Sequence, residues 1–173
     1  MKHTIFPLLL LLGAFACKKP VLEPNAKAEF TALVQSSAPL VGKTVLEDTL
    51  PVQTIEALGI GSVSGVKLQY AGLRYASYYA YQADADELIA TLSRLPFDRY
   101  AVVADTTCYK TSFRVLEQIR QTLSPVEEQH SAFFWNASEH EFEVYECLKA
   151  PLRHTVLISR ATGQVLHRVE HIG

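Results

Sequence analysis

Between Val66 and Gln82 the chain runs VKLQYAGLRYASYYAYQ, and its period of two leaves little choice of local structure. Val66, Leu68 and Tyr70 alternate with Lys67 and Gln69. Ala71 and Gly72 break the pattern. Tyr75, Ser77, Tyr79 and Tyr81 then share one face of a second run, while Ala76, Tyr78 and Ala80 share the other. Successive side chains of an extended chain point to opposite faces, so the stretch predicts two strands joined by a turn. Tyrosine fits a half-buried pleated surface of this kind.

The period then changes. In DADELIATLSRLP, Asp84 is placed to cap a helix and Glu87 stands three residues on, as in a capping box. Ala85, Leu88, Ile89, Leu92 and Leu95 make one apolar stripe, and Pro96 stops it. TSFRVLEQIRQTLSP repeats the logic. Thr111 or Ser112 is its cap, Phe113, Leu116, Ile119 and Leu123 face inward, and Pro125 is the terminator. Upstream, AKAEFTALVQSS predicts a short helix capped by Asn25, GKTVLEDTLP a brief strand, and the stretch from Pro51 to Gly59 a helical turn. The C-terminal third reads as β-rich. AFFWN is an aromatic cluster there. EFEVYECL alternates, and HTVLISRATGQVLHRVEHI folds back on itself about Thr162-Gly163, where glycine supplies a positive φ. Strands, helices and strands in that order predict an α+β fold: an antiparallel β-sheet with two to four helices packed on one face and a C-terminal β-hairpin.

The first 16 residues stand apart from this pattern. Lys2 and His3 form a basic start, Ile5 to Leu12 an apolar run, and Gly13 to Ala16 a small-residue end, which is the plan of a secretory signal peptide. The run is shorter than the roughly 18–20 residues needed to span a bilayer. Cys17 follows at once. Gly13-Ala14-Phe15-Ala16-Cys17 resembles the lipobox of bacterial lipoproteins, with Ala14 where leucine is usual. Two readings compete: release after Ala16 by an ordinary signal peptidase, or acylation of Cys17 by fatty chains such as palmitate. A cysteine at the cut position favours the second. The resemblance implies two or three acyl chains, which makes a durable anchor where a single chain holds marginally. It also implies sorting to the outer membrane, facing the periplasm, because Lys18 stands where aspartate would retain the protein in the inner membrane. Residues 17–25 are then the lipidated cysteine and a tether with two prolines, and residues 26–173 one α+β domain.

A mature chain of 157 of the 173 residues suits a single domain. The formal net charge of −2, with no basic stripe, argues against nucleic acid as a partner. With Cys17 acylated, Cys108 and Cys147 remain as an even pair in an oxidising compartment. They are either a disulfide or two buried thiols, and the sequence leaves both open.

Candidate chemistry is sparse. Glu139, His140, Glu141 and Glu143 are metal-ligand types, but their spacing matches no metal motif, and the plainer reading is a solvated face. No cofactor is implied. His154, His167 and His171 fall on the C-terminal hairpin, where a pairing with Cys108 or Ser159 would be nucleophilic. No elbow or other signature surrounds them, and exposed histidines are the default there. Gly59, Gly61 and Gly65 form neither a phosphate loop nor a dinucleotide fingerprint. Tyr75, Tyr78, Tyr79 and Tyr81, with Phe133, Phe134 and Trp135, supply either a binding surface for glycan or peptide or the core of the domain.

Taken together, LPVQTIEALG, the Tyr-rich strand, ADADELIATLSRL, FFWN and LISRATGQVLHRVEH resemble small bacterial lipoproteins of uncharacterised activity. The likeness spans residues 48–172 and implies an extracytoplasmic α+β domain. Two functions follow as expectations. The first is a membrane-anchored, non-catalytic module that binds an envelope protein or glycan. The second is an envelope hydrolase in which one of His130, His140, His154 or His167 meets a carboxylate or nucleophile.

Overall fold

Alternation in the central strands puts apolar side chains on both faces, and the architecture follows from that. Three strands, β1 (Leu40–Val45), β2 (Ser64–Gln69) and β3 (Tyr75–Gln82), form a meander. A second meander comprises β5 (Glu143–Lys149), β6 (Leu152–Ile158) and β7 (Gln164–His171), with β4 (Thr107–Thr111) against β5 at its edge. Pairing of β3 with β7 joins the two into one antiparallel sheet, in the order β1-β2-β3-β7-β6-β5-β4. The structure is a computed structural model that describes residues 38–61, 63–94, 107–149 and 151–171. The signal, Cys17 and its tether, the helix expected over 26–37 and the stop at Pro96 lie outside these residues.

The expected α+β class, antiparallel sheet and C-terminal hairpin are all present. Among the described residues five helices accompany the sheet, and they divide between its faces where the sequence pattern predicts two to four on one. On the front face, a 3-10 turn (Leu46–Asp48), α1 (Val52–Ala57) and α2 (Ala85–Arg94) cover Tyr79, Tyr81, Tyr145, Val156, Ile158, Val165 and Val169. On the back face, α3 (Phe113–Arg120), α4 (Pro125–His130) and α5 (Ala132–Trp135) cover Leu68, Ala76, Tyr78, Val144, Leu157 and Leu166. A strand such as Tyr78-Tyr79 or Leu157-Ile158, apolar on both sides, has to be roofed twice.

Local chemistry explains the ends of the elements. Asp84 Oδ1 accepts from the backbone N–H of Asp86 and of Glu87, as the cap of α2 requires. Pro125 opens α4 instead of only closing α3, since a missing N–H costs nothing in a first turn. The β6–β7 hairpin closes with Gly163 at φ +71°, and its N–H donates to the Ser159 carbonyl. Gly65 is a close approach inside β2, where an added Cβ would collide with the Tyr78 carbonyl oxygen.

Candidate functional site

The back face changes character along its strands. Toward the α5 end it is apolar. Toward the other end Glu146, Thr155, Arg168 and Tyr78 lie in one row across paired strands, with Arg153 and Glu170 in the next. An open cleft of about 410 Å³ lies here. It is bounded by the β2–β3 turn with Tyr70 and Arg74, the end of β7 with Glu170 and His171, and the α3–α4 turn from Gln121 to Pro125.

Arg168 is the floor. It is 3% exposed, and its two flanking carboxylates come from different elements. Its Nη1 donates to Glu170 Oε2 at 2.8 Å, its Nε to the Tyr78 hydroxyl at 2.9 Å, and its Nη2 lies 3.6 Å from Glu127 Oε1. Burial opposes the charge, yet Tyr78, Glu170 and Glu127 outweigh it and the guanidinium is held more firmly protonated than usual. The planar group also sits over the rings of Tyr78 and Trp135, at 5.6 and 5.9 Å.

Glu127 reaches this floor because Ser124 starts α4, its Oγ accepting from the Glu127 N–H at 3.1 Å. The hydroxyls of Tyr70 and Tyr78 both donate to the Glu127 carboxylate. Burial, and then that carboxylate, push the Tyr70 phenol above its ordinary range. Trp135 Nε1 donates to Ser131 Oγ at 2.7 Å, and Ser131 Oγ in turn to the Glu127 carbonyl at 2.5 Å. Burial raises the pKa of Glu170, but Arg168, Arg153 and Arg74 pull it below the usual carboxylate value. Every charge on the floor is therefore paired, as buried ions must be.

A second recess of about 400 Å³ shares Thr122 with the cleft and continues toward β4, lined by Tyr109, Gln118, Ile119, Glu146, Leu148 and Arg153. The Arg153–Glu170 pair, at 3.8 Å, stands where the two meet. Among the described residues, Arg153 Nε, His171 Nδ1 and Thr155 Oγ1 are buried atoms without a hydrogen-bond partner.

The residues singled out from sequence fall largely elsewhere. Tyr78, Tyr79, Tyr81 and Trp135 do not form an exposed platform. They are buried, split between the two cores, because β3 is roofed on both sides. Tyr75 is half-buried near the rim of the cleft, its ring turned to the front face with Tyr79, under Lys67 Nζ at 4.6 Å and 5.7 Å from the ring of His171. Cys108 and Cys147 face each other across β4–β5 and are joined as a disulfide. Glu139, His140 and Glu141 are exposed in a turn. Glu143 is held to about 2 by hydrogen bonds from Lys110, Arg160 and Tyr145. Among the described residues no group of three or more His, Cys, Asp or Glu is arranged to hold a metal ion.

The hairpin histidines depart furthest from expectation. His154 and His167 are fully buried, not exposed, because β6 and β7 lie in the middle of the sheet. His154 Nδ1 and His167 Nε2 are 2.9 Å apart, and the Tyr81 hydroxyl lies 2.9 Å from His167 Nδ1. His130 and His140 are exposed. Among the described residues no ring of His130, His140 or His167 is hydrogen-bonded to a carboxylate. No local pattern marks Glu127, Arg168 or Glu170 in the sequence. The available signal is a charged run, HRVEH, on a strand whose apolar neighbours require burial.

The histidine pair carries a pH dependence. Burial lowers His154 to about 3 from 6.5, and burial together with His154 lowers His167 well below 6.5. Below pH 6.5 the unfolded chain therefore takes up protons that the folded one refuses, so stability falls as pH falls toward 3. At pH 5 the loss through His154 alone is expected to be about 2 kcal/mol. Urea unfolding at pH 7 and pH 5 checks it, and a His154→Gln chain should show a shallower slope.

No family model, curated protein or solved structure matches the chain.

Proposed function

We propose that this chain is a lipid-anchored, extracytoplasmic module that works by binding, with its ligand held in the back-face cleft. The observation that carries the reading is the Arg168 floor. It is a buried guanidinium fixed between Glu127 and Glu170, beneath an opening of ligand size, since pockets run to about 300–1,000 Å³. A fixed polar floor under a cleft with aromatic walls orients a bound molecule and needs no reactive group. The small triplet before Cys17 supports the anchor, and the Cys108–Cys147 disulfide fits an oxidising compartment. The hydrolase reading has less support, since His154 and His167, with the Tyr81 hydroxyl beside His167, are buried in the front face and not at the cleft.

Two experiments test this. Cells labelled with tritiated palmitate should yield a labelled, membrane-bound protein, and Cys17→Ser should give an unlabelled, soluble one. Recovery of the parent protein in soluble form with an unmodified Cys17 thiol overturns the anchor. Trp135, the single tryptophan, reports on the cleft through Arg168. A delipidated envelope extract should change its emission, and a Gln121→Phe substitution, which narrows the mouth, should suppress the change. Equal responses from both chains, or none from either, overturn the cleft.

A further inference from the structure

We infer that the ligand class is a neutral oligosaccharide lying along both recesses, a deepening that rests on the cleft being the binding site. Charge balance is the first argument. Three arginines (Arg74, Arg153, Arg168) and three glutamates (Glu127, Glu146, Glu170) line the two recesses, so their formal charges cancel. The floor charges are also spent on one another: Arg168 on Glu127 and Glu170, and Arg153 on Glu170. An anion reaching the floor meets a carboxylate beside Arg168 and beside Arg153, and a cation meets the reverse. Either would be desolvated without a free counter-charge.

Unused hydrogen-bonding capacity is the second argument. Arg153 Nε is buried without a partner at the second recess, and each glutamate oxygen has lone pairs beyond its present bonds. Gln121 and Thr122 add exposed donors and acceptors at the lip. Hydroxyl groups both donate and accept, so a polyol satisfies this mixed lining where a ligand of one kind cannot.

The walls point the same way. Tyr70 and Tyr109 stand along the two recesses, with Arg74 5.8 Å over the Tyr70 ring. Ring faces suit the apolar CH face of a sugar while its hydroxyl edge meets the polar floor. Because the recesses adjoin at Thr122, the fit is to a short linear chain and not to a single ring.

The test is titration of Trp135 emission in the full lipidated chain, in a sugar-free detergent. The neutral probes are maltotetraose, cellotetraose and chitotetraose. The charged probes are tetragalacturonate, inorganic phosphate and dialanine. At least one neutral tetrasaccharide should give a saturable change, at least tenfold stronger than its own monosaccharide. Tyr109→Ala and Gln121→Ala should each weaken it tenfold or more, and the Gln121→Ala chain should keep the parent melting temperature. Saturation by a charged probe alone overturns the saccharide and leaves the cleft standing as a site. A response to the envelope extract with none to any neutral saccharide does the same. Silence from every probe and from the extract overturns both.

Discussion

Replacing Arg168 by methionine is expected to destabilise the protein by about 3–5 kcal/mol, the usual loss when one partner of a buried ion pair is removed. The side chains of Arg168 and Glu127 are 3% and 5% exposed, so water cannot take over from the lost guanidinium. Glu170 is less sensitive to the loss, since part of its side chain reaches solvent and Arg153 stands 3.8 Å away. Glu127 keeps the hydroxyls of Tyr70 and Tyr78 but loses the only cation paired with it among the described residues. The melting temperature should fall by roughly 10–20 °C for a domain of this size. A second substitution separates lost charge pairing from lost packing. Glu127→Gln removes the stranded charge, its amide oxygen still accepting from one tyrosine hydroxyl while its NH2 donates to the other. The double variant Arg168→Met/Glu127→Gln should therefore recover at least half of the loss, measured as a double-mutant cycle in urea. If the two changes simply add, the pair is not coupled and the floor does not hold as one unit.

The boundary between what is legible in the sequence and what is not is clearest at that pair. Alternation in Tyr75 to Tyr81 and the Asp84 cap are local signals, and the structure places β3 and α2 where they point. The Thr162-Gly163 turn is equally local. The β4 strand TCYKT is short and lies beside no partner in sequence. Its identity comes from β5, more than thirty residues later. Pro125 reads as a stop from the upstream side and as a helix start from the downstream side, and Ser124 decides for both. AFFWN borders a β-rich region but turns once as α5, so that Phe134 and Trp135 enter the back core. The site lies beyond local signals altogether. Tyr70, Glu127 and Arg168 come from three distant segments, and only the sheet order brings β7 beside β3 and under α4. The histidines escape a local reading for the same reason. Only the pairing of β3 with β7 sets this hairpin in the middle of the sheet, and nothing within the hairpin announces it.

Removing the disulfide is expected to cost about 4 kcal/mol, from the loop of 39 residues that the Cys108–Cys147 bond closes. That closure has a particular place in the fold. Among the described residues the β4 strand is an edge strand, paired on one side only, and it follows β3, which lies in the middle of the sheet. On the front face α2 packs beside it, and on the back face α3 leaves from its end. The bond to the fully buried Cys147 therefore pins the strand on which two helical layers hang. Cys108→Ala/Cys147→Ala should lower the urea midpoint, and the parent protein in reductant should move to nearly the same midpoint. Hydrogen exchange should quicken first in β4 and α3, while the β3–β7 ladder at the centre keeps its protection. Alkylation of the denatured but unreduced parent should leave Cys108 and Cys147 unmodified. Capture of both thiols by the reagent, with no change of midpoint on reduction, would mean that β4 is held by its ladder and packing alone.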